Sequence, residues 1–199
     1  MIDQQMKKQL ASSSSQGHRG ALRHLSKMGK LPNEVREDIV RLFNAGPPYM
    51  EELVSLIIRN PGPDFEMAYQ SLLREGTVSE QIQALQSLTL WMGESEQAFA
   101  KIVLPTIITL SSSANPWVAF LASLQRARLY ADQEDCWHQA AKAIIAADTI
   151  GWHADIRPQI MEITTSEEQQ LINAHLQILG VKQLSPNANI QTFQKRFQR

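Results

Sequence analysis

The sequence lacks a disulfide framework, because Cys136 is the single cysteine among 199 residues. Disulfides need pairs of cysteines and belong mainly to oxidising compartments, so one thiol suits a reducing compartment. No apolar run approaches the roughly 20 residues that a membrane-spanning helix requires. Residues 1–16 also lack the apolar core of a secretory signal. These absences predict a cytoplasmic protein with no membrane span.

Motifs for catalysis, cofactor binding or metal binding are missing as well. Residues 17–20 read Gly-His-Arg-Gly, which has neither the spacing nor the lysine of a phosphate-binding loop. Cys136 and His138 stand two positions apart on a predicted helix and point in different directions, so they cannot easily chelate zinc or act as a nucleophile pair. His153 and His175 follow further along the chain. We expect no catalytic residue, no metal site and no cofactor, and we predict that the chain is not an enzyme.

The net charge of −1 conceals an uneven distribution. Residues 1–30 carry a charge of +5 and residues 181–199 carry +4, whereas the residues between them carry −10. An acidic body with basic ends can fold its ends back onto itself or offer them to an anionic partner. Solvated ends with no partner are the simpler alternative.

Helical patterns run through most of the chain and predict an all-α fold. Ile82, Leu85, Leu88 and Trp91 recur at steps of three, which is typical of one helix face. Residues 102–110 are rich in β-branched side chains, but Pro105 would remove a hydrogen-bond donor from a sheet. We therefore expect a kinked helix there.

Capping signals predict where several of these helices begin. The pairs with the spacing of a capping box are Thr77 with Glu80 and Thr165 with Glu168. The single N-cap candidates include Asn33, Asp64 and Asn115, the last of which is followed by a first-turn proline. Gly180 has the position of a C-cap.

Three of the predicted corners, at Thr77, Asn115 and His153, are 38 residues apart. A helical period in this range is typical of helix pairs that bury their apolar faces against neighbouring pairs. We expect stacked antiparallel helix pairs, arranged as an α-solenoid or an irregular helical bundle. The predicted organisation is a flexible Ser-rich N-terminal segment (1–20), a helical domain (21–180) and a basic amphipathic C-terminal tail (181–199).

A family resemblance supports the stacked arrangement. Leu104-Pro105 in a first helix, followed by Asn115-Pro116-Trp117-Val118 and Ala122 in the next, resembles the HEAT repeat, a helical hairpin with proline in its first helix. Residues 34–36, Glu-Val-Arg, are similar to the opening of a second HEAT helix. The resemblance covers residues 32–180 as about four units. It implies a HEAT-like curved solenoid that binds a protein or a nucleic acid along one face and performs no chemistry of its own.

We interpret the chain as a non-enzymatic protein–protein interaction module, such as an adaptor, a chaperone or an inhibitor. It would bind a partner protein in a helical groove, and its acidic body would prefer a basic target. The candidate partner-binding residues are Trp117, Trp137, Trp152, Ile190, Phe193 and Phe197. Packing in the core is the preferred role for the tryptophans, and an exposed one would make a good anchor.

The alternative interpretation is a nucleic-acid-binding helical-repeat protein that places its basic ends on phosphates. The residues it would use are Arg19, Arg23, Lys27, Lys30, Lys195, Arg196 and Arg199. The acidic middle of the chain would repel phosphates, so a protein partner is preferred. A third interpretation is an enzyme whose site is assembled from scattered residues.

Overall fold

The computed structural model describes residues 4–28, 30–46, 49–60, 62–89, 94–129, 134–151, 153–181 and 184. Over these residues the chain forms eleven α-helices and two short 3-10 helices, with no β-strand, so the predicted all-α class is confirmed. The α-helices are α1 (Gln4–Ala11), α2 (Ser15–Leu25), α3 (Arg36–Asn44), α4 (Met50–Arg59), α5 (Glu66–Glu75), α6 (Val78–Thr89), α7 (Glu94–Leu110), α8 (Pro116–Leu129), α9 (Glu134–Thr149), α10 (His153–Ile163) and α11 (Ser166–Ile178). The 3-10 helices are Asn33–Val35 and Pro63–Phe65. Across the described ranges, no helix combines the length and the apolar character needed to cross a membrane.

The chain divides into two compact units, residues 1–106 and residues 107–199, with the boundary inside α7. In the first unit, α4 contacts α2, α3, α5 and α6. The apolar faces of these helices meet in a core that includes Leu22, Leu25, Ile39, Leu53, Ile57, Phe65, Tyr69, Leu73 and Leu85, all fully or almost fully buried. Burial of such side chains contributes about 1.5–3 kcal/mol each to folding.

The second unit is built around α9, which contacts α8, α10 and α11. Small residues dominate the facing surfaces of α8 and α9, and they are buried: Ala119, Ala122, Ala127, Ala140, Ala141, Ala143 and Ala147. Because alanine has no side chain beyond Cβ, the two helix backbones can approach closely. Larger apolar residues, among them Val118, Leu121, Leu124, Ile144, Ile160 and Ile172, complete this core.

The three evenly spaced corners all become helix starts. Helix α6 begins at Val78, α8 at Pro116 and α10 at His153. Both predicted capping boxes form, with the Thr77 N–H donating to the Glu80 carboxylate at 2.7 Å and the Thr165 N–H donating to the Glu168 carboxylate at 2.8 Å. Pro105 lies inside helix α7, so the helical prediction for residues 102–110 is confirmed.

The predicted N-caps Asn33 and Asp64 are wrong. Each lies in a 3-10 helix, so α3 begins later, at Arg36, and α5 begins at Glu66, and neither start has a side-chain cap. The carboxylate of Asp64 instead accepts a hydrogen bond from Nε of Arg36 at 2.7 Å. A charged pair of this kind is roughly twice as strong as a neutral hydrogen bond.

The N-terminal segment contains more regular structure than its serine-rich composition predicts. Helix α2 begins at Ser15, inside the expected flexible segment, and Ser14 caps it by accepting the Gly17 N–H at 3.3 Å. His18 is buried, and its ring hydrogen-bonds to the Tyr49 hydroxyl and to the Ser12 carbonyl. The serines therefore act as a helix cap and turn. The three-part division at residues 20 and 180 stays a prediction.

Candidate functional site

Two of the predicted aromatic anchors lie in the interior of the second unit. Trp117 and Trp137 are 6% and 4% exposed. Trp117 stacks on Phe120, with ring centroids 5.4 Å apart. These contacts are those of core residues, and partner binding by either tryptophan stays a prediction. The other predicted anchors, Trp152, Ile190, Phe193 and Phe197, lie outside the described residues.

The basic residues of the nucleic-acid alternative are on the surface where they are described. Arg23, Lys27 and Lys30 are exposed, and Nε of Arg19 lies 3.9 Å from a carboxylate oxygen of Glu52. An exposed ion pair at that distance contributes about 0–1 kcal/mol. Arg19 and Arg23 are one turn apart on α2 and so share a helix face. The other members of this set, Lys195, Arg196 and Arg199, lie outside the described residues.

The first unit has a surface groove, which we call the α4/α5 groove. Its lining residues come from α3, α4, α5 and the start of α6, and they are Phe43, Met50, Val54, Ser71, Leu72, Glu75, Gly76 and Glu80. The cavity volume is about 220 Å³. Ligand pockets for small molecules usually measure about 300–1,000 Å³, so the groove suits a single large side chain better than a free ligand.

The apolar floor of the groove follows from helical spacing. Met50 and Val54 are one turn apart on α4, and Leu72 faces them from α5. Val54 and Leu72 are buried, whereas Met50 and Phe43 are half-buried and still in contact with solvent. The floor is therefore continuous with the core, and it leaves apolar surface available at its edge.

The turn from α5 to α6 closes one end of the groove. A Cβ atom on Gly76 would lie 2.3 Å from the Leu72 carbonyl oxygen, so only glycine fits at this position. The turn brings Glu80 to the groove, where its carboxylate is held by the Thr77 N–H at 2.7 Å and by the Thr77 hydroxyl at 2.8 Å. The groove thus ends in an oriented carboxylate.

The electrostatic character of that end is negative. Glu75 is exposed and lies in the last turn of α5, where its charge adds to the negative end of the helix dipole. Glu80 lies in the first turn of α6, where the positive end of that helix offsets its charge. Glu75 is therefore the stronger attractor for a cation.

One exposed apolar side chain, that of Met67, lies on α5, the helix that supplies Ser71, Leu72 and Glu75 to the groove. Met67 is 86% exposed, and it shares a face of α5 with the groove residues Ser71 and Glu75 because the three are spaced by four residues. Methionine is unbranched and polarisable, and it adapts well to irregular binding surfaces. The face of α5 beside the groove thus combines an apolar, a small and an acidic residue in one line.

The second unit has a cleft between α9 and α11, which we call the histidine cleft. Its lining residues are Glu134, Asp135, His138, His175 and Ile178, and its volume is about 440 Å³. The rings of His138 and His175 meet edge to face, with centroids 5.8 Å apart and planes at 67°. The two histidines are 37 residues apart in sequence, and the packing of α11 on α9 brings them together.

One polar group of the cleft has an ion-pair partner, and another has no hydrogen-bond partner among the described residues. A carboxylate oxygen of Asp135 lies 3.5 Å from a guanidinium nitrogen of Arg126. Nδ1 of His175 is buried and has no hydrogen-bond partner among the described residues. A buried polar atom without a partner costs about 1–3 kcal/mol. Within the described residues, Nδ1 of His175 thus lacks the hydrogen-bond partner, donor or acceptor according to the tautomer, that a buried ring nitrogen usually has.

The helical spacing predicts that Cys136 and His138 point in different directions from one helix, and the two side chains lie in different surroundings in the structure. Cys136 is buried, whereas His138 is half-buried and lines the cleft with His175. In the part of the chain that the structure describes, no group of three or more His, Cys, Asp or Glu side chains is placed to hold a metal ion. Because Glu134 and His138 are four residues apart, the sequence indicates that they share a helix face. No sequence pattern indicates that His175, on α11, faces His138.

No protein-family model, no curated protein and no solved structure matches this chain.

Proposed function

We propose that this chain is a non-enzymatic protein–protein interaction module that binds a basic amphipathic helix of a partner protein in the α4/α5 groove. The observation that carries the proposal is the combination of an apolar floor and an acidic end in one groove of about 220 Å³. An amphipathic helix binds such a groove through a few apolar anchors on one face. Basic residues beside the anchors would pair with the acidic end and orient the helix.

The groove favours one large apolar anchor on the partner. Its volume accommodates a single aromatic or aliphatic side chain, and interface energy is usually concentrated in a few such buried residues. The exposed Met67 extends the apolar contact beyond the groove along α5. A lysine or arginine about one turn from the anchor would reach Glu75.

Affinity capture of the full-length tagged chain from its native cells, with nuclease treatment, tests the proposal. We expect one stoichiometric polypeptide that survives nuclease and high salt. Recovery of nucleic acid alone, with a steep loss of binding as salt increases, would instead support the phosphate-binding alternative.

Two matched pairs of variants locate the interface. Ser71→Arg places a bulky cation in the groove, whereas Ser79→Arg places the same side chain on the exposed surface of α6. Glu75→Lys and Glu162→Lys each reverse an exposed charge in the last turn of a helix, but only Glu75 lines the groove. We expect the two groove variants to weaken capture of the partner at least tenfold and the two controls to leave it unchanged. Equal affinity in all four variants would exclude the groove as the interface.

A further inference from the structure

We propose that the exposed face of α2 binds the phosphate backbone of double-stranded DNA without reading its base sequence. The residues that carry this activity are Arg19, Arg23 and Lys27, which we call the α2 cation line. None of them lines the α4/α5 groove, so this surface adds a second binding activity to the proposed function. It needs one helix face, whereas the phosphate-binding alternative uses both basic ends of the chain.

The backbone places the three cations on one helix face. Helix α2 ends at Leu25, but the N–H of Ser26 donates to the Leu22 carbonyl at 2.8 Å and the N–H of Lys27 donates to the His24 carbonyl at 3.1 Å. The turn therefore continues through Lys27. Residues four apart on a helix are neighbours on its surface, and eight residues that rise 1.5 Å each give the line a length of about 12 Å.

The opposite face of α2 fixes the orientation of the cation line. Ala21, Leu22 and Leu25 are buried in the core of the first unit, whereas all three cations are exposed. Arg23 and Lys27 form no ion pair within the described residues. The line thus presents its charge to solvent from a helix that is held in place by packing.

The acidic residue shown beside the line does not neutralise it. Nε of Arg19 lies 3.9 Å from a carboxylate oxygen of Glu52 on α4. An exposed pair of this kind contributes about 0–1 kcal/mol. A phosphate oxygen can therefore replace the Glu52 carboxylate at Arg19 at little energetic cost.

The surrounding sequence reinforces the positive charge. Residues 4–30 contain six lysines and arginines and no aspartate or glutamate. Lys7 and Lys8 are exposed on α1, which packs against α2, and Lys30 is exposed after the line. Interactions between exposed charges are largely screened beyond about 10 Å at 0.1 M salt. Screening therefore limits the repulsion of phosphates by acidic residues elsewhere in the chain.

The length of the line favours duplex DNA among nucleic acids. The major groove of DNA is about 12 Å wide, so a line of about 12 Å allows the cations at its two ends to reach phosphates on both strands that border the groove. Duplex RNA has a narrow, deep major groove. Phosphate contacts carry no sequence information, and for this reason we expect binding to be independent of sequence.

A membrane surface fits α1 and α2 less well than DNA does. Helices that lie on membranes insert an exposed apolar face beside their basic residues. The large apolar residues Met6 and Leu10 of α1 and Leu22 and Leu25 of α2 are all buried in the protein. The described part of these two helices therefore offers lipids charge without an apolar face.

Fluorescence anisotropy of the full-length chain with two labelled DNA duplexes of unrelated sequence tests the proposal. We expect equal affinity for the two duplexes, because the contacts are to phosphates. The logarithm of the binding constant should fall linearly with the logarithm of salt concentration. Three phosphate contacts at about 0.9 each predict a slope of about −2.7 or steeper.

Two double variants with the same change in net charge locate the surface. Arg23→Glu with Lys27→Glu reverses two charges of the line, and Arg59→Glu with Lys142→Glu reverses two exposed charges on α4 and α9. We expect the first double variant to weaken DNA binding at least about tenfold and to make the salt slope shallower by about 1.8. The second should bind as the unmodified chain does. Circular dichroism should show the same helical content in both.

Four results would overturn the proposal. These are no binding at about 50 mM salt, a slope that corresponds to less than about one phosphate contact, an equal loss of affinity in the two double variants, and preferential binding to phosphatidylserine vesicles over duplex DNA. An equal loss would assign binding to net charge rather than to the α2 cation line. Nuclease removes DNA from the partner-capture experiment, so the groove and the cation line are tested separately.

Discussion

At the scale of single residues, one ion pair combines structural and electrostatic roles in the second unit. Nε and a terminal nitrogen of Arg128 donate to the two carboxylate oxygens of Glu168 at 2.7 and 2.8 Å, and the guanidinium also donates to the Ile163 carbonyl at 2.8 Å. Burial by itself would raise the pKa of Glu168. The hydrogen bonds from Arg128 and Thr165 and the Arg128 charge outweigh burial and lower that pKa below its ordinary value of 4.5. The ionised carboxylate is thus the form that holds α11 to the end of α8.

We predict that Glu168→Gln destabilises the chain at neutral pH and removes part of its acid sensitivity. Because the pKa of Glu168 is lower in the folded state than in the unfolded state, its contribution to stability is present above pH 4.5 and is lost as the pH falls below that value. The variant should lose about 1.5–3 kcal/mol of unfolding free energy near pH 7. Urea unfolding at a series of pH values measures both effects.

The exposed neighbour provides the control for this prediction. Glu167→Gln changes the same functional group one residue earlier, outside the Arg128 pair. It should retain the acid sensitivity of the unmodified chain. Identical pH profiles for the Glu168 variant and the unmodified chain would contradict the assignment.

At the scale of helices, the start of α8 shows how a short local motif positions a long buried element. The side-chain oxygen of Asn115 accepts the N–H groups of Trp117 and Val118 at 3.1 and 3.2 Å. These donors belong to the first turn of α8 and have no partner within the helix. Every residue of α8 from Pro116 to Gln125 is buried, so this cap fixes where a buried element begins.

We predict that Asn115→Ala lowers the unfolding free energy of the second unit by about 1 kcal/mol, because it leaves those two donors without an acceptor. Asn115→Ser retains an acceptor oxygen at the cap and should recover most of the loss. Denaturant unfolding, followed by tryptophan fluorescence, measures the difference, because three of the four tryptophans belong to residues 107–199. Equal destabilisation by alanine and serine would show that the cap is not the cause.

At the scale of the whole molecule, the chain forms two compact units and its charge is unevenly distributed. Each of the two compact units has its own core, and the negative charge is concentrated between residues 30 and 181. The basic residues at 181–199 include Lys195, Arg196 and Arg199. A partner that contacts both the acidic groove and this basic end would need charges of both signs.

We predict that deletion of residues 186–199 weakens partner capture and leaves the unfolding midpoint unchanged. The deleted segment carries Ile190, Phe193 and Phe197 at helical spacing beside basic residues, a pattern typical of segments that order on contact with a partner. A second variant, with these three residues replaced by serine and the basic residues kept, separates apolar contact from charge. Unchanged affinity in both would exclude a role for the tail.

The sequence by itself determined the features that depend on neighbours three or four residues away. The all-α class, the two capping boxes, the cap at Asn115 and the helix through Pro105 all follow from local hydrogen bonding and periodicity. Local reasoning was wrong at Asp64, which lies within a 3-10 helix and accepts a hydrogen bond from Arg36, 28 residues distant. Only the tertiary structure decided that Trp117 and Trp137 are buried, that Glu75 borders an apolar groove, and that His138 faces His175. Each of these depends on which helices pack together, and packing joins residues whose separation in sequence carries no periodic signal.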